Sequence, residues 1–269
     1  MTQCAILRSP MAYRDFHQPD RSPSEQSSEA VGAARSLSTR LVGGSMAMRR
    51  AHGEPPQLKG KWLFDPIFSD SDFESLRQWC SDDDPRPLVV EVGFQRARFA
   101  RAFCEANPDI RYMGFEVRTK FCQDANEWLE RGGIENARLA LVDARECLPL
   151  LIEPGTLDCL YAFFPDPWWK KRHMKKRLVS NAFAFEVSNL LKDQGILLIK
   201  TDVQGYADWA ETELRAEPNY DVNRLADASA GLPLTQRERK CALHGRPTWA
   251  IEAIRNTRVS NGVTASHDH

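Results

Sequence analysis

An α/β fold built on a mostly parallel sheet is predicted by three features of the sequence. From residue 59 onward, short apolar runs alternate with helical stretches, glycine and proline punctuate the joins, and four of the runs end at or just before a carboxylate. Alternating strands and helices are the pattern of βαβ units, in which each crossover helix returns the chain to lay down another parallel strand.

The elements follow in order. Leu88-Val-Val-Glu-Val92 reads as a buried strand, and the helix after it turns Phe99 and Phe103 inward. Arg111 to Glu116 is the second strand and Thr119 to Arg131 its crossover helix. Gly132 and Gly133 end that helix, because glycine takes the left-handed cap without a Cβ clash. Ala137 to Val142 is the third strand, and Thr156 to Phe164 is the fourth, running into a proline-locked turn. Leu178 to Leu191 reads as a helix closed by Lys192-Asp-Gln-Gly195, with Gly195 to Lys200 as the fifth strand and Tyr206 to Leu214 as a further helix. Tyr220 to Arg224 and Thr248 to Ile254 complete a seven-stranded sheet as two strands paired antiparallel around a loop.

The chain has 269 residues, 42% hydrophobic and 27% charged, which suits an ordinary globular protein and excludes collagen, coiled coil and wholesale disorder. Residues 1–58 hold eight Ser and five Pro without a period of 2 or 3.6, and read as a disordered tail. Residues 59–255 form the domain, and 256–269 a flexible tail. Arginine outnumbers acids in the first segment, so organelle import is a competing reading. It contains no apolar core of a secretory signal, and Met46 and Met48 stand as alternative starts just before the ordered part. The longest apolar runs, such as Leu148 to Ile152, fall far short of the roughly 18 residues a membrane span needs. Seven dispersed cysteines, never in C-x-x-C spacing, argue against a zinc cluster or disulfide framework. Six histidines form no ligand pair. No metal is expected, and the chain reads as reduced and cytoplasmic.

In open parallel sheets, ligands bind beyond the carboxyl ends of the strands. Glu91, Glu116, Asp143 and Asp166 all fall at such ends. A carboxylate closing the second strand is placed to accept both hydroxyls of a ribose. Each acid alone is equally well read as a helix N-terminal acid favoured by the dipole. Four at one edge favour a ligand.

The stretch Phe163-Phe-Pro-Asp-Pro-Trp-Trp-Lys-Lys-Arg-His-Met-Lys-Lys-Arg177 carries the most information. Two prolines fix the backbone around Asp166, which lowers the entropy lost on ordering a catalytic loop. A carboxylate there can face the ring N–H and amino donors of a guanine, and Trp168 or Trp169 can stack on an unpaired base. Six of the eight residues from Lys170 to Arg177 are cationic, which suits phosphate contacts and makes binding salt-sensitive. The net charge of -1 argues against a chain that coats nucleic acid everywhere and leaves this patch local.

Over residues 59 to 255 the chain resembles the bacterial tRNA (guanine-N7)-methyltransferases, which modify the guanine at position 46 of the tRNA variable loop with S-adenosyl-L-methionine. Phe164-Pro-Asp-Pro-Trp168 and the basic run after it carry the resemblance. It implies a Rossmann-like class I methyltransferase fold, a tRNA partner, no metal, no membrane, and a monomer or homodimer. It further implies that Glu91, Gly93, Glu116, Asp143 and Asp166 contact the cofactor and that Asp166 is catalytic. Lys170, Arg172, Lys175, Lys176, Arg177, Asp202, Thr235 and Glu238 then contact the substrate, the last two as the family's T-x-x-E. Two departures stand out. The family's G-F-G-x-G turn is Gly93-Phe-Gln-Arg-Ala97, and the aromatic before the glutamate of T-x-x-E is Arg237. Side chains where glycine normally takes positive φ are expected to strain the turn by roughly 1 to 2 kcal/mol. Arg96 and Arg98 bring positive charge to that turn, or pair with the cofactor's carboxylate. The alternative is an RNA-binding protein that has lost catalysis. A nicotinamide-dependent dehydrogenase needs G-x-G-x-x-G after the first strand, which is missing here. A DNA amino-methyltransferase needs a differently ordered acid-proline loop.

Overall fold

A computed structural model of the chain describes residues 70–257 except 119, 120, 122–124, 126–128, 130, 228 and 230. The tail read at 1–58, residues 258–269 of the tail read at 256–269, and most of the crossover helix read over Thr119 to Arg131 lie outside the described residues. Seven strands form one sheet: β1 Leu88–Val92, β2 Arg111–Glu116, β3 Ala137–Leu141, β4 Leu157–Phe163, β5 Leu191–Thr201, β6 Tyr220–Leu225 and β7 Trp249–Arg255. Their spatial order is β3-β2-β1-β4-β5-β7-β6. The first five are parallel, and β7 runs antiparallel between β5 and β6. This is the mostly parallel sheet with an antiparallel carboxy-terminal pair expected of a class I methyltransferase fold. The strand order reverses between β1 and β4, where a ligand crevice belongs.

Successive residues of a strand face opposite sides of the sheet, and the two sides have separate cores. Leu88, Val90, Met113, Phe115, Leu160 and Ile199 pack under helices α1 (Asp70–Cys80), α3 (Ala144–Leu151), α4 (Asn181–Leu190) and α5 (Gln204–Arg215). Val89, Tyr112, Cys159, Tyr161, Phe163 and Leu198 face α2 (Arg98–Ala106). There Phe99 stacks on Phe103 at 5.4 Å and meets Phe163 edge-on at 4.9 Å. By the same alternation Glu91 and Lys200 extend the α2 side past Val89 and Leu198, so two charged residues finish an aromatic core.

Where the structure differs from the pattern, side-chain capping explains the shift. Ser180 accepts the backbone N–H of Phe183 and starts α4 at Asn181, three residues after the expected Leu178. Leu191 pairs with Leu157, so β5 begins before Gly195 and absorbs the extra residues in a register shift. Between β6 and β7 the expected loop contains a helix, α6 (Gln236–Leu243). Helices α1 and α3 also come in addition to the expected elements. Gly133 has φ +66 and the Ile134 N–H bonds to Leu129 O at 3.1 Å, the cap predicted from its sequence. The five described cysteines are buried and none is in a disulfide. No helix among the described residues is long and apolar enough to cross a membrane, and they contain no group of three or more potential metal ligands.

Candidate active site

The crevice at the reversal point is an open cleft. Glu91, Gly93, Gln95, Arg96 and Arg98 line one side, Phe163 and Phe164 the floor, and Thr235, Gln236 and Arg237 the other. The turn after β1 makes the first wall. Gly93 has φ +86 and gives its N–H to Phe115 O at 2.7 Å. Gln95 at φ +50 and Ala97 at φ +51 share the left-handed region. The turn therefore follows a path that glycine favours, with side chains in place. Neighbours hold it there. Phe94 packs where a Cβ on Gly114 would stand, 2.7 Å from its ring, and Gly114 lies beside Glu91 in the sheet. The Ala97 N–H bonds to Phe94 O at 2.9 Å, its methyl is buried in the α2 core, and the Gln95 N–H bonds to Glu116 at 3.0 Å. Because Gln95 is exposed and loses no packing on truncation, Gln95→Gly is expected to raise stability by up to about 1 kcal/mol in urea denaturation. A β-branched residue there should lower it.

Three acids sit along this edge with different environments. Glu116 is buried and accepts the backbone N–H groups of Gln95, Val117 and Arg118, which lock it at the mouth of the turn. Asp143 caps α3 through the Arg145 N–H at 3.0 Å and pairs with the Arg145 guanidinium, so it has the helix N-terminal role considered above. Glu91 is buried and accepts the Tyr112 hydroxyl. Burial pushes its carboxyl up to about 7, the Glu116 charge adds to this, and the Tyr112 hydroxyl and Lys200 oppose it.

A carboxyl raised on folding binds more protons in the native than in the unfolded chain, so stability falls as pH rises between the two values. For Glu91 that window runs from about 4.5 to about 7, and the rise corresponds to about 3 kcal/mol. Glu91→Gln is therefore expected to flatten the decline in stability over that window and to exceed the unaltered chain above it, measured as Tm against pH.

Asp166 rides on the turn from β4. Phe164 leaves the strand at φ +54 with its N–H on Lys200 O at 2.7 Å, and Trp168 closes the turn at φ +42. The Arg177 Nε donates to Pro167 O at 2.9 Å, and its guanidinium lies over Trp209 at 4.9 Å. Arg177 thus braces the turn from behind. Asp166 is 62% exposed and stands 3.6 Å from the Arg118 guanidinium, itself 56% exposed, a pair that water screens heavily. The basic run folds into a 3-10 helix, Lys171–Lys176, with Lys176 over the Trp168 ring at 4.9 Å. Desolvation and the neighbouring cations hold the His173 imidazole below its usual range. Lys170, Arg172 and Lys175 are exposed on the outer side.

Across the cleft, Thr235 and Glu238 form a capping box at the start of α6: the Thr235 hydroxyl accepts the Glu238 N–H at 3.1 Å, and the Glu238 carboxylate accepts the Thr235 N–H at 2.7 Å. The other Glu238 oxygen takes the fully buried Lys200 ammonium at 2.8 Å. Asp202 accepts the Arg237 Nε at 3.0 Å and lies 3.7 Å from the Cys241 thiol.

A family model described as "Putative methyltransferase" matches residues 85–251. A tRNA (guanine-N(7)-)-methyltransferase of Myxococcus xanthus is 34% identical over 118 residues, 44% of this chain and 57% of that protein. One of Streptococcus thermophilus is 29% identical over 205 residues, 74% of this chain and 88% of that protein. The chain belongs to the tRNA (guanine-N7)-methyltransferase family. It spans about half the length of several of the curated relatives it matches. A solved antibiotic-related methyltransferase is 15% identical, with a TM-score of 0.49, over 74% of this chain and 99% of that chain.

Against the family pattern, the structure brings Glu91, Gly93 and Glu116 to one wall and sets Asp166 on the adjoining turn. Lys170, Arg172 and Lys175 face outward beside it, while Lys176 lies over Trp168 of the turn and Arg177 over Trp209 of α5. Thr235 and Glu238 are buried and turned to each other, and Asp202 is taken by Arg237. Arg237, where the family carries an aromatic, thus gains an ion-pair partner in Asp202. Lys200 and Arg118 escaped the reading of the sequence. The capping-box spacing of Thr235 and Glu238 was a signal for α6, but Lys200 stands 38 residues from Glu238 and has no local signal.

Proposed function

We propose that the chain transfers a methyl group from S-adenosyl-L-methionine to N7 of a guanine in tRNA, at position 46 of the variable loop. The observation that carries this reading is Asp166, held on a braced proline turn between the Glu91–Glu116 edge and an exposed basic segment, in a member of this family.

The residues present fit the cofactor. Glu116 is fixed by three backbone N–H groups and keeps lone pairs for ribose hydroxyls. A Cβ on Gly93 would meet nothing within 4 Å, so the turn is open on the cleft side. Glu91 adds a buried carboxyl to the lining of the cleft, which would suit a cationic group. When bound, S-adenosyl-L-methionine supplies an electrophilic methyl group on a sulfonium, and guanine N7 already carries the lone pair that accepts it. No base is needed, so the work of the protein is orientation, which supplies up to about 7 to 11 kcal/mol in favourable cases. Asp166 accepts the N–H donors on the Watson-Crick edge, which leaves N7 on the opposite edge free, and its charge steadies the positive charge that grows on the ring. Lys170, Arg172 and Lys175 hold the phosphates.

Incubation of the full chain with an unmodified tRNA transcript and S-adenosyl-L-methionine should yield N7-methylguanosine, identified by mass spectrometry of the digested nucleosides and mapped by cleavage at the modified base. RNA binding without this product would favour the second reading, a non-catalytic RNA binder, which the strained Gln95 and Ala97 support.

A further inference from the structure

Three large apolar side chains are exposed among the described residues: Trp169 at 68%, Phe185 at 53% and Leu243 at 81%. Only Trp169 has the surroundings of a ligand site. It stands three residues from Asp166, and Lys170, Lys171 and Arg172 follow it, all exposed. Its neighbour Trp168 is turned the other way. The positive φ of Trp168 sends that indole back onto His173 at 5.5 Å, with Lys176 against its face. The two adjacent tryptophans thus divide between a packed ring and a presented one.

The presentation is rigid. The His173 N–H bonds to Lys170 O at 2.7 Å, the Arg177 N–H to Met174 O at 3.0 Å and the Arg177 Nε to Pro167 O at 2.9 Å, so the backbone on both sides of Trp169 is tied down. An exposed indole on an ordered loop loses little entropy when it meets a partner. A flat π surface flanked by cations matches an unpaired nucleobase with its phosphate, because every base has a stacking face and the backbone supplies the charge. A base pair inside a duplex offers no such face.

We infer that Trp169 is a stacking platform for an unpaired base adjacent to the guanine at Asp166, so that the enzyme selects a splayed single-stranded segment rather than a duplex. This rests on the proposed tRNA substrate. It separates the roles of the two tryptophans: Trp168 builds the turn, and Trp169 reads the RNA.

The test uses the full chain with two probes, a short purine-rich single-stranded RNA and a blunt RNA duplex of equal length. Trp169→Ala is expected to weaken single-strand binding about tenfold and to leave duplex binding within about twofold. Trp169→Phe should keep most of the affinity, since a smaller ring still stacks. Tryptophan emission of the unaltered chain should fall on addition of the single strand, and this fall should be lost in Trp169→Phe. Unchanged single-strand affinity in Trp169→Ala, or equal losses for the two probes, overturns the assignment while leaving the tRNA reading intact. Binding of neither probe by the unaltered chain overturns the assignment, and failure to bind the unmodified tRNA transcript as well overturns both.

Discussion

Lys200→Met is expected to destabilise the chain by about 3 to 5 kcal/mol, the typical effect of removing one partner from a buried ion pair. The Lys200 ammonium has no exposure and the Glu238 side chain only 5%, so the variant leaves a carboxylate in the core with the Thr235 N–H as its remaining donor. Lys200 also offsets the negative field at Glu91, whose neutral form would be favoured further in its absence. The double variant Lys200→Met, Glu238→Gln should recover most of the loss, because an amide still accepts the Thr235 N–H and carries no charge. Urea denaturation of the single and double variants measures the coupling. Additive losses would mean that the pair is not what fastens α6. Since α6 carries Gln236 and Arg237 into the cleft wall, the single variant should also weaken ligand binding at temperatures where the chain remains folded.

Asp166→Ala is expected to lower kcat by about 100-fold or more, the usual effect of deleting one preorganised group that meets charge developing in a transition state. Affinity for S-adenosyl-L-methionine should change little, because Asp166 sits on the β4 turn and not on the Glu91–Glu116 wall. The fold should persist: the side chain is 62% exposed, and its contact with Arg118, 3.6 Å long, is solvent-screened. Asp166→Asn should fall between the two, since the amide keeps one acceptor but turns a donor toward the donors of guanine. Single-turnover methylation beside cofactor titration separates the quantities. Equal losses of turnover and cofactor affinity would remove Asp166 from its orienting role and make it a part of the cofactor wall.

Six of the seven strands were legible in the sequence to within a residue because each is an apolar run bounded by glycine, proline or charge, and both faces of the sheet are covered, while β5 begins at Leu191, four residues before the expected Gly195. Three helices were not, for separate reasons. Asp70–Cys80 is rich in acids and carries few apolar positions, Ala144–Leu151 contains Pro149 and reads as an apolar run, and Gln236–Leu243 is half charged. The last is built by its capping box and by Lys200, which only the sheet topology brings near. The acids were legible by position alone, as ends of strands. Their differences were not: the Asp143 cap, the three N–H groups on Glu116 and the burial of Glu91 all depend on what the next element contributes. The departures at Gln95, Ala97 and Arg237 were visible as letters. That Gln95 and Ala97 keep the left-handed path, and that Arg237 finds Asp202, follows from packing around them.

Everything in the catalytic reading depends on whether the Gly93–Arg98 turn accepts the cofactor with side chains at positions 95 and 97. Calorimetric titration of the full chain with S-adenosyl-L-methionine and with its demethylated product tests this directly, beside the Gln95→Gly, Ala97→Gly double variant. Saturable binding by the unaltered chain is the predicted result, with the double variant binding similarly because the backbone path is already in place. No binding by the unaltered chain, together with binding restored in the double variant, would contradict it and leave an RNA-binding protein without its cofactor.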